Sequence, residues 1–214
     1  MKKTLYLGLE LPPHLQSENV VHHPFIRIIP KEATEPDLKL SFENFKTYTH
    51  LIFTSKSAVK IFFDLAKSFG TPHEDIAKKT IISVGQRTAQ KLMEKGVKTD
   101  IIASEETAEG IVKELTDINL ENANILLPQS AIARLVVTDW LTKEKIMHTV
   151  LKIYHTTSNL PAPLPDLEQF HEIIFTSPST VDAFIEGYGN LPVDIKLTGI
   201  GPVTERKLLS FKNN

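Results

Sequence analysis

The chain contains the stretch Leu51-Ile-Phe-Thr-Ser-Lys-Ser-Ala-Val-Lys-Ile-Phe-Phe-Asp64 and repeats it as Ile173-Ile-Phe-Thr-Ser-Pro-Ser-Thr-Val-Asp-Ala-Phe-Ile-Glu186. Half of the paired positions are identical. In each copy a short apolar run ends in Thr-Ser, and apolar residues then recur at the spacing of a helix. Each copy therefore predicts a strand, a turn rich in hydroxyl groups and a helix.

A second pair of similar stretches follows the first at nearly the same distance. The chain has Ile82-Ser-Val-Gly-Gln-Arg-Thr-Ala-Gln-Lys-Leu92 and, later, Thr198-Gly-Ile-Gly-Pro-Val-Thr-Glu-Arg-Lys-Leu208, with Gly, Thr, Lys and Leu in register. The offset is 122 for the first pair (173 − 51) and 116 for the second (201 − 85). Two similar α/β units are therefore predicted. Hydroxyls and free N–H groups at their strand-to-helix turns favour a ligand held by both units.

Composition excludes several classes of protein. With 214 residues, 41% of them hydrophobic and 23% charged, the chain is typical of a soluble globular protein with one or two cores. A net charge of −2 gives no overall attraction for nucleic acid or anionic membrane, and no apolar run is long enough to span a bilayer. The absence of cysteine excludes disulfides, thiolate metal sites and a cysteine nucleophile. We expect a cytoplasmic monomer without nucleic-acid or membrane partners.

The middle of the chain reads as one complete α/β domain. Gly70 and Gly96 lie where helix C-terminal caps are expected. Strands alternating with helices of about ten residues predict a parallel sheet covered by helices on both faces. The predicted elements are His50–Phe53, Ser57–Phe69, Thr80–Val84, Thr88–Lys95, Thr99–Ala103, Thr107–Leu115, Asn124–Leu127 and Ile132–Lys143.

The two ends of the chain are predicted to form the other domain together. Only two strand–helix pairs follow the Pro-, Ser- and Thr-rich segment 156–165, so we expect them to complete their sheet with a first strand at Thr4–Leu9. Strands at Phe25–Ile29 and Val150–Tyr154 would then form a two-stranded connector, and 31–39 would be a linker. The predicted domains are a discontinuous α/β domain at 1–31 and 155–214, and an inserted α/β domain at 36–150.

Five motifs occur along the chain in a distinctive order. They are Ile-Phe-Thr-Ser-x-x-x-Val, which occurs twice, Val84-Gly85 followed by Thr88, Leu126-Leu-Pro-Gln-Ser130 followed by Arg134, Tyr154-His-Thr156, and Gly199-Ile-Gly-Pro-x-Thr204. Together they resemble the uroporphyrinogen-III synthase family, from about residue 50 onward. The resemblance implies two doubly wound parallel-sheet α/β domains joined by a two-stranded connector, the first discontinuous. Here the first domain looks pared down, because no Arg-Pro and helix follow the first strand.

The resemblance also implies a reaction. The substrate would be hydroxymethylbilane, a linear tetrapyrrole with eight carboxylates, and the enzyme a lyase of haem biosynthesis. The reaction removes the terminal hydroxyl, inverts the last pyrrole ring through a spiro intermediate and closes the macrocycle. No metal or organic cofactor is expected, since the main task is to position a flexible polyanion.

Four turns at the carboxyl ends of strands are candidates for binding the carboxylates, because unpaired N–H groups at a helix N-terminus favour anions. Their hydroxyls have a second interpretation as helix caps alone. Lys56 and Arg87 add positive charge. The candidate residues are Thr54, Ser55, Lys56, Ser57, Gly85, Arg87, Thr88, Thr176, Ser177, Ser179, Thr180, Gly201 and Thr204.

Four further residues complete the candidate site. Tyr154 is the candidate proton donor to the departing hydroxyl; the alternative is an amphipathic residue at a domain hinge. Gln129 and Ser130 follow the Leu-Pro strand, and Gln129 would contact the substrate through hydrogen bonds. Arg134, predicted one turn into its helix, could reach a carboxylate, or could form a surface salt bridge.

Two other residue patterns do not predict a catalytic or metal site. Ser57-Ala-Val-Lys60 matches Ser-x-x-Lys but lacks the partner motifs of an acyl-enzyme. His22-His23 has no carboxylate at the spacing of a metal site. Two alternatives to the synthase stay open. One is a non-catalytic two-domain binding protein for a polyanionic small molecule, and the other is a degenerate member of the same family.

Overall fold

The computed structural model of the chain describes residues 2–212 and contains ten strands and eight α-helices within that range. The strands are β1 (Lys3–Tyr6), β2 (Val20–His22), β3 (Ile26–Pro30), β4 (His50–Phe53), β5 (Thr80–Ser83), β6 (Ile101–Ile102), β7 (Asn124–Ser130), β8 (Met147–Ser158), β9 (Phe170–Phe175) and β10 (Lys196–Gly199). The helices are α1 (Pro36–Glu43), α2 (Lys56–Ser68), α3 (His73–Ala77), α4 (Gln86–Glu94), α5 (Ala108–Thr116), α6 (Val136–Lys143), α7 (Pro178–Tyr188) and α8 (Pro202–Lys212). No helix in this range is long and apolar enough to cross a membrane.

The chain divides into two compact units, which we call the inserted unit and the discontinuous unit. The inserted unit is Ile29–His155, and the predicted domain at 36–150 falls inside it. The discontinuous unit is Met1–Ile28 with Thr156–Asn214. Strands β3 and β8 are neighbours, and both run across the boundary from one unit to the other.

The inserted unit has a six-stranded sheet in the order β3-β8-β7-β4-β5-β6. Pairing is parallel from β8 to β6. The strand order reverses between β4 and β7, which makes the sheet doubly wound and places its topological switch point there. β3 and β8 are thus also part of this sheet, because β8 extends well beyond the predicted Val150–Tyr154 and pairs with β7 along its length.

The discontinuous unit has a four-stranded parallel sheet in the order β10-β9-β1-β2. The predicted pairing of the N-terminal strand with the C-terminal segment is confirmed, since Leu5 faces Ile173 in the register of β1 and β9. The switch point lies between β1 and β9. The predicted lack of a helix after the first strand is confirmed, since only a short 3-10 turn, Pro13–Leu15, lies between β1 and β2.

The sequence repeat corresponds to a repeat of core packing. The rings of Phe53 and Phe62 are 5.3 Å apart at 72°, and those of Phe175 and Phe184 are 5.4 Å apart at 72°. All four side chains are fully buried. Such edge-to-face pairs favour one relative orientation of the two rings, so each helix is fixed against its preceding strand in the same way.

The predicted linker at 31–39 is wrong at its end, because α1 begins at Pro36. Proline suits the first helical position, where its fixed φ fits and no N–H is needed. Leu38 and Phe42, four residues apart, are buried, and the ring of Phe42 stacks on Phe69 at 4.7 Å. The polar residues around them hide this pattern in the sequence.

Other boundaries also moved. β2 and α3 form where no element was predicted, the edge strand β6 is only two residues long, and α6 begins at Val136 instead of Ile132. The predicted helix caps are confirmed, because Gly70 and Gly96 follow α2 and α4 with φ of 68° and 78°. Only glycine takes this left-handed conformation without a steric cost.

Tyr188, at the end of α7, makes the stability of the discontinuous unit sensitive to alkaline pH. Its hydroxyl donates to the carbonyl oxygen of Pro165 at 2.6 Å. Burial, with the nearby charge of Asp166, raises the pKa of Tyr188 from 10.0 to about 12. The unfolded chain therefore loses this proton first as the pH rises.

Below pH 10.0, the pKa of tyrosine in the unfolded chain, ionisation of Tyr188 should not change the free energy of unfolding. Above it, that free energy should fall as the pH rises toward about 12. Tyr188→Phe should flatten that fall. Urea denaturation of both proteins at neutral pH and at about pH 11 measures it. An equal loss of stability in the two proteins would contradict the assignment.

Candidate active site

Hydroxyl groups meet at the switch point of the inserted unit. Ser55 lies just after β4, and Ser130 is the last residue of β7, the neighbouring strand on the other side of the reversal. Tyr154 lies on β8 and is the register partner of Ser130. Its phenol oxygen is 3.1 Å from Ser55 Oγ. Ligands of doubly wound sheets bind outside the carboxyl ends of the strands at such a point.

Ser55 is also the N-cap of α2. It has an extended backbone, with φ of −162°, and its Oγ accepts a hydrogen bond from the N–H of Ala58 at 3.0 Å. The capping alternative therefore holds for Ser55, while Ser57 is the second residue of the helix and stays half-buried. Lys56 is the exposed first residue of α2, and Thr54 precedes the cap.

Tyr154 is a buried phenol with polar partners. Its side chain is 6% exposed. Burial raises the pKa of Tyr154, and its hydrogen bonds with Ser55 and Ser130 act in the opposite direction. The net shift is upward, so at neutral pH the group is a protonated acid. A buried phenol with hydroxyl partners is a reasonable proton donor.

The turn that precedes α4 holds a carboxylate of the chain itself. The N–H of Gln86, the first residue of α4, donates to Glu106 Oε1 at 3.0 Å. A Cβ added at Gly85 would lie 2.5 Å from the exposed Glu106 side chain, so a larger residue there would displace that carboxylate. Arg87 is exposed and Thr88 is buried. This turn thus binds a carboxylate through one backbone N–H group.

Gln129 and Arg134 differ from their predicted environments. Gln129 lies inside β7 with 4% of its surface exposed. Arg134 precedes α6 and binds Glu109 through both of its terminal nitrogens, at 2.6 and 2.9 Å. The prediction that Arg134 lies within its helix is wrong, because α6 begins two residues later. The salt-bridge alternative describes the observed contact.

In the discontinuous unit, the turn between β9 and α7 has the same geometry at Ser177 as the turn between β4 and α2 has at Ser55. Ser177, with φ of −162°, caps α7 and accepts from the N–H of Thr180, whose own hydroxyl donates to the Ser177 carbonyl at 2.7 Å. The N–H groups of Thr176 and Ser177 donate to the Thr180 hydroxyl at 3.1 and 3.3 Å. Capping therefore occupies Ser177 and Thr180, while Thr176 and Ser179 are half-buried.

The second turn of the discontinuous unit repeats that of Gly85. The carbonyl of Gly85 accepts from the N–H groups of Thr88 and Ala89 at 3.1 and 3.0 Å. The carbonyl of Gly201 accepts from those of Thr204 and Glu205, both at 3.1 Å. Gly201 has φ of 83°, which favours glycine. Thr204 is 2% exposed, so its hydroxyl faces the protein interior.

One histidine that was not predicted as a site residue lies at the carboxyl end of a strand in the discontinuous unit. His22 ends β2, and its Nε2 donates to the carbonyl of Gly8 at 2.7 Å. Its ring meets that of Tyr6 edge-on at 5.7 Å. The signal that could have found it is a short strand, Val20–His22, hidden among polar residues. Glu106 was also missed, because nothing in the sequence relates it to Gln86.

Comparison with known proteins places the chain in a family. The sequence profile described as uroporphyrinogen-III synthase HemD matches residues 15–213. A protein of Methanothermobacter thermautotrophicus named for the same synthase is 31% identical over 195 residues, which are 83% of this chain and 75% of that protein.

Two solved structures share the fold. A mutant uroporphyrinogen III synthase from the extremely thermophilic bacterium Thermus thermophilus gives a TM-score of 0.70 at 14% identity, with 99% of this chain and 90% of that chain covered. The uroporphyrinogen-III synthetase from Helicobacter pylori gives 0.67 at 15% identity, with 100% and 89% covered. From the profile match and the relative of Methanothermobacter thermautotrophicus, the chain belongs to the uroporphyrinogen-III synthase family.

Proposed function

We propose that the chain is an active synthase that dehydrates and cyclises hydroxymethylbilane with inversion of the last pyrrole ring, which makes it a lyase. The observation that carries the proposal is the buried Tyr154, whose phenol lies 3.1 Å from Ser55 Oγ at the switch point of the sheet. Family membership supplies the substrate class, a tetrapyrrole.

Tyr154 would act at the first step. The phenol gives its proton to the terminal hydroxyl of the bilane, the carbon–oxygen bond breaks and water leaves. The substituted α-carbon of the last pyrrole ring attacks the resulting cation and gives the spiro intermediate. The bond from that carbon to its original methylene bridge then breaks, and the bridge carbon bonds the free α-carbon of the inverted ring, which closes the macrocycle. Closure releases one proton from carbon, which returns to the phenolate, so the net change is the loss of one water. General acid catalysis of this kind contributes about 10²- to 10⁴-fold.

The substrate carboxylates would be bound mostly by backbone N–H groups and hydroxyls. The contact of Glu106 with Gln86 N–H supports this, since a carboxylate already occupies the N-terminus of α4. Lys56 and Arg87 are exposed at the starts of α2 and α4 and would add positive charge. Each exposed helix N-terminus stabilises an anion by about 0.3–1 kcal/mol, so binding would be shared over several weak contacts.

Turnover of enzymatically generated hydroxymethylbilane tests the proposal. The uroporphyrin isomers formed after oxidation are separated by chromatography. We expect isomer III, whereas the bilane closes without inversion when unassisted and gives isomer I. If the protein binds the bilane and only isomer I forms at the unassisted rate, it is a binding protein. If it neither binds nor converts the bilane, it is a degenerate member of the family.

A further inference from the structure

The hydroxyl of Ser55 is held in contact with the phenol of Tyr154. Ser55 Oγ accepts the N–H of Ala58 at 3.0 Å, which fixes the oxygen at the start of α2. A serine hydroxyl has one hydrogen to donate. Ser55 Oγ also lies 3.1 Å from the phenol oxygen of Tyr154. Either hydroxyl can donate in this contact, and Ser55 has its hydrogen available for Tyr154.

Ser130 repeats this arrangement from the other side of the switch point. Its Oγ accepts the N–H of Ile132 at 3.3 Å, so a backbone group again fixes the oxygen. Ser130 and Tyr154 are partners in the register of β7 and β8, where the register shifts by one residue. The contact of Ser130 with Tyr154 lowers the pKa of the phenol, as does that of Ser55. The two serines thus approach one phenol oxygen from two neighbouring strand ends.

We propose that Ser55 and Ser130 are positioning residues that both donate their hydroxyl hydrogens to the phenol oxygen of Tyr154. The tyrosine proton is then left for the substrate, and two fixed donors stabilise the phenolate once that proton has gone. This inference deepens the proposed function and rests on it. Donors aimed at the place where negative charge develops stabilise a transition state, because they need no reorganisation.

The direction of the pKa shifts agrees with this arrangement. The contacts with Ser55 and Ser130 lower the pKa of Tyr154, while burial raises it by more. Hydrogen bonds donated to the phenolate have that sign. Tyr154 therefore stays protonated at neutral pH, and the serines reduce the cost of its ionisation during the reaction.

The experiment titrates Tyr154 in the full-length protein without substrate. The chain has four tyrosines. Replacing them biosynthetically with 3-fluorotyrosine lowers their pKa values, so that they ionise under milder conditions. The ¹⁹F resonance of residue 154 is assigned by its absence in Tyr154→Phe. We expect Ser55→Ala and Ser130→Ala each to raise the midpoint for residue 154 by about one pH unit.

Matched variants separate this effect from helix capping. Ser177→Ala removes the equivalent cap of α7 with the same backbone geometry, and it should leave the midpoint of residue 154 unchanged. Ser55→Asp keeps a cap acceptor but offers no donor at neutral pH, so it should raise the midpoint in a chain that still folds. Ser55→Thr keeps both functions and should restore the parent value.

Turnover gives the second readout. Ser55→Ala should lower kcat about tenfold with little change in KM, because its hydroxyl acts on the acid and not on the bound carboxylates. The inference would be overturned if the midpoint for residue 154 fell in both alanine variants, since Tyr154 would then donate to the serines. It would equally be overturned if the midpoint did not change, since the serine hydroxyls would then have no effect on the ionisation of Tyr154. If the midpoints rise but the parent protein forms no isomer III, the hydroxyl arrangement stands and the proposed function fails.

Discussion

Tyr154→Phe is expected to lower the turnover of hydroxymethylbilane by about 100-fold or more while its affinity for product changes little. The substitution removes only the phenol oxygen. The ring stays buried on β8, so the packing of the inserted unit is kept. Because burial raises the pKa of Tyr154, the parent protein should keep its acid protonated beyond the ordinary range of a phenol. Turnover measured with isomer separation, together with product binding, checks the prediction.

Tyr188→Phe is the matched control for this substitution. It removes a phenol oxygen that donates to Pro165 in the discontinuous unit, and neither residue is a predicted site residue. Its turnover at neutral pH should equal that of the parent. Equal losses of turnover and product affinity in Tyr154→Phe would remove its role as proton donor and support the alternative of a structural residue.

The repeated stretch made much of the fold predictable. His50–Phe53 was predicted as a strand with the observed bounds, and α2 begins one residue before its predicted start. The physical reason is that both copies carry the same strand, cap and aromatic pair, so two weak local signals support one another. The pairing of β1 with β9 followed because the C-terminal segment had too few strands to form a sheet alone.

The composition of the site was less predictable because it depends on long-range register. Ser55 and Tyr154 are 99 residues apart in sequence, and their contact requires β4, β7 and β8 to be ordered in one sheet. The register shift that places Ser130 beside Tyr154 has no sequence signal. Both serines were predicted to bind substrate, and their contacts with a tyrosine could not be foreseen. Arg134 was likewise predicted without its partner Glu109, which comes 25 residues earlier.

The residue pattern of α1 did not predict a helix, because polar residues surround its two buried apolar residues. In α1 only Leu38 and Phe42 give the helical period, and a proline at its first position reads as a breaker. The cap of α2 was uncertain for a different reason. Ser55 and Ser57 are both suited to an N-cap, and the choice depends on where the strand ends and not on either residue alone.

Phe184→Ala is expected to unfold the discontinuous unit at much lower denaturant than the parent. Removing a fully buried phenylalanine costs about 3–5 kcal/mol. Phe184 contacts Phe175, Phe25 and Tyr188, with ring centroids 5.4, 6.1 and 4.5 Å away, so the substitution empties the middle of this core. A four-stranded unit of this size has little stability in excess of that cost.

Phe62→Ala is the matched variant, because Phe62 holds the same place in the repeat and is equally buried. The single tryptophan, Trp140, lies in α6 and packs on the core of the inserted unit, so its fluorescence reports that unit. Phe184→Ala should shift the transition seen by far-ultraviolet circular dichroism and leave that of Trp140 in place. Phe62→Ala should shift the Trp140 transition. If Phe184→Ala moves both signals equally, the two units unfold as one, and the separate stability of each core is disproved.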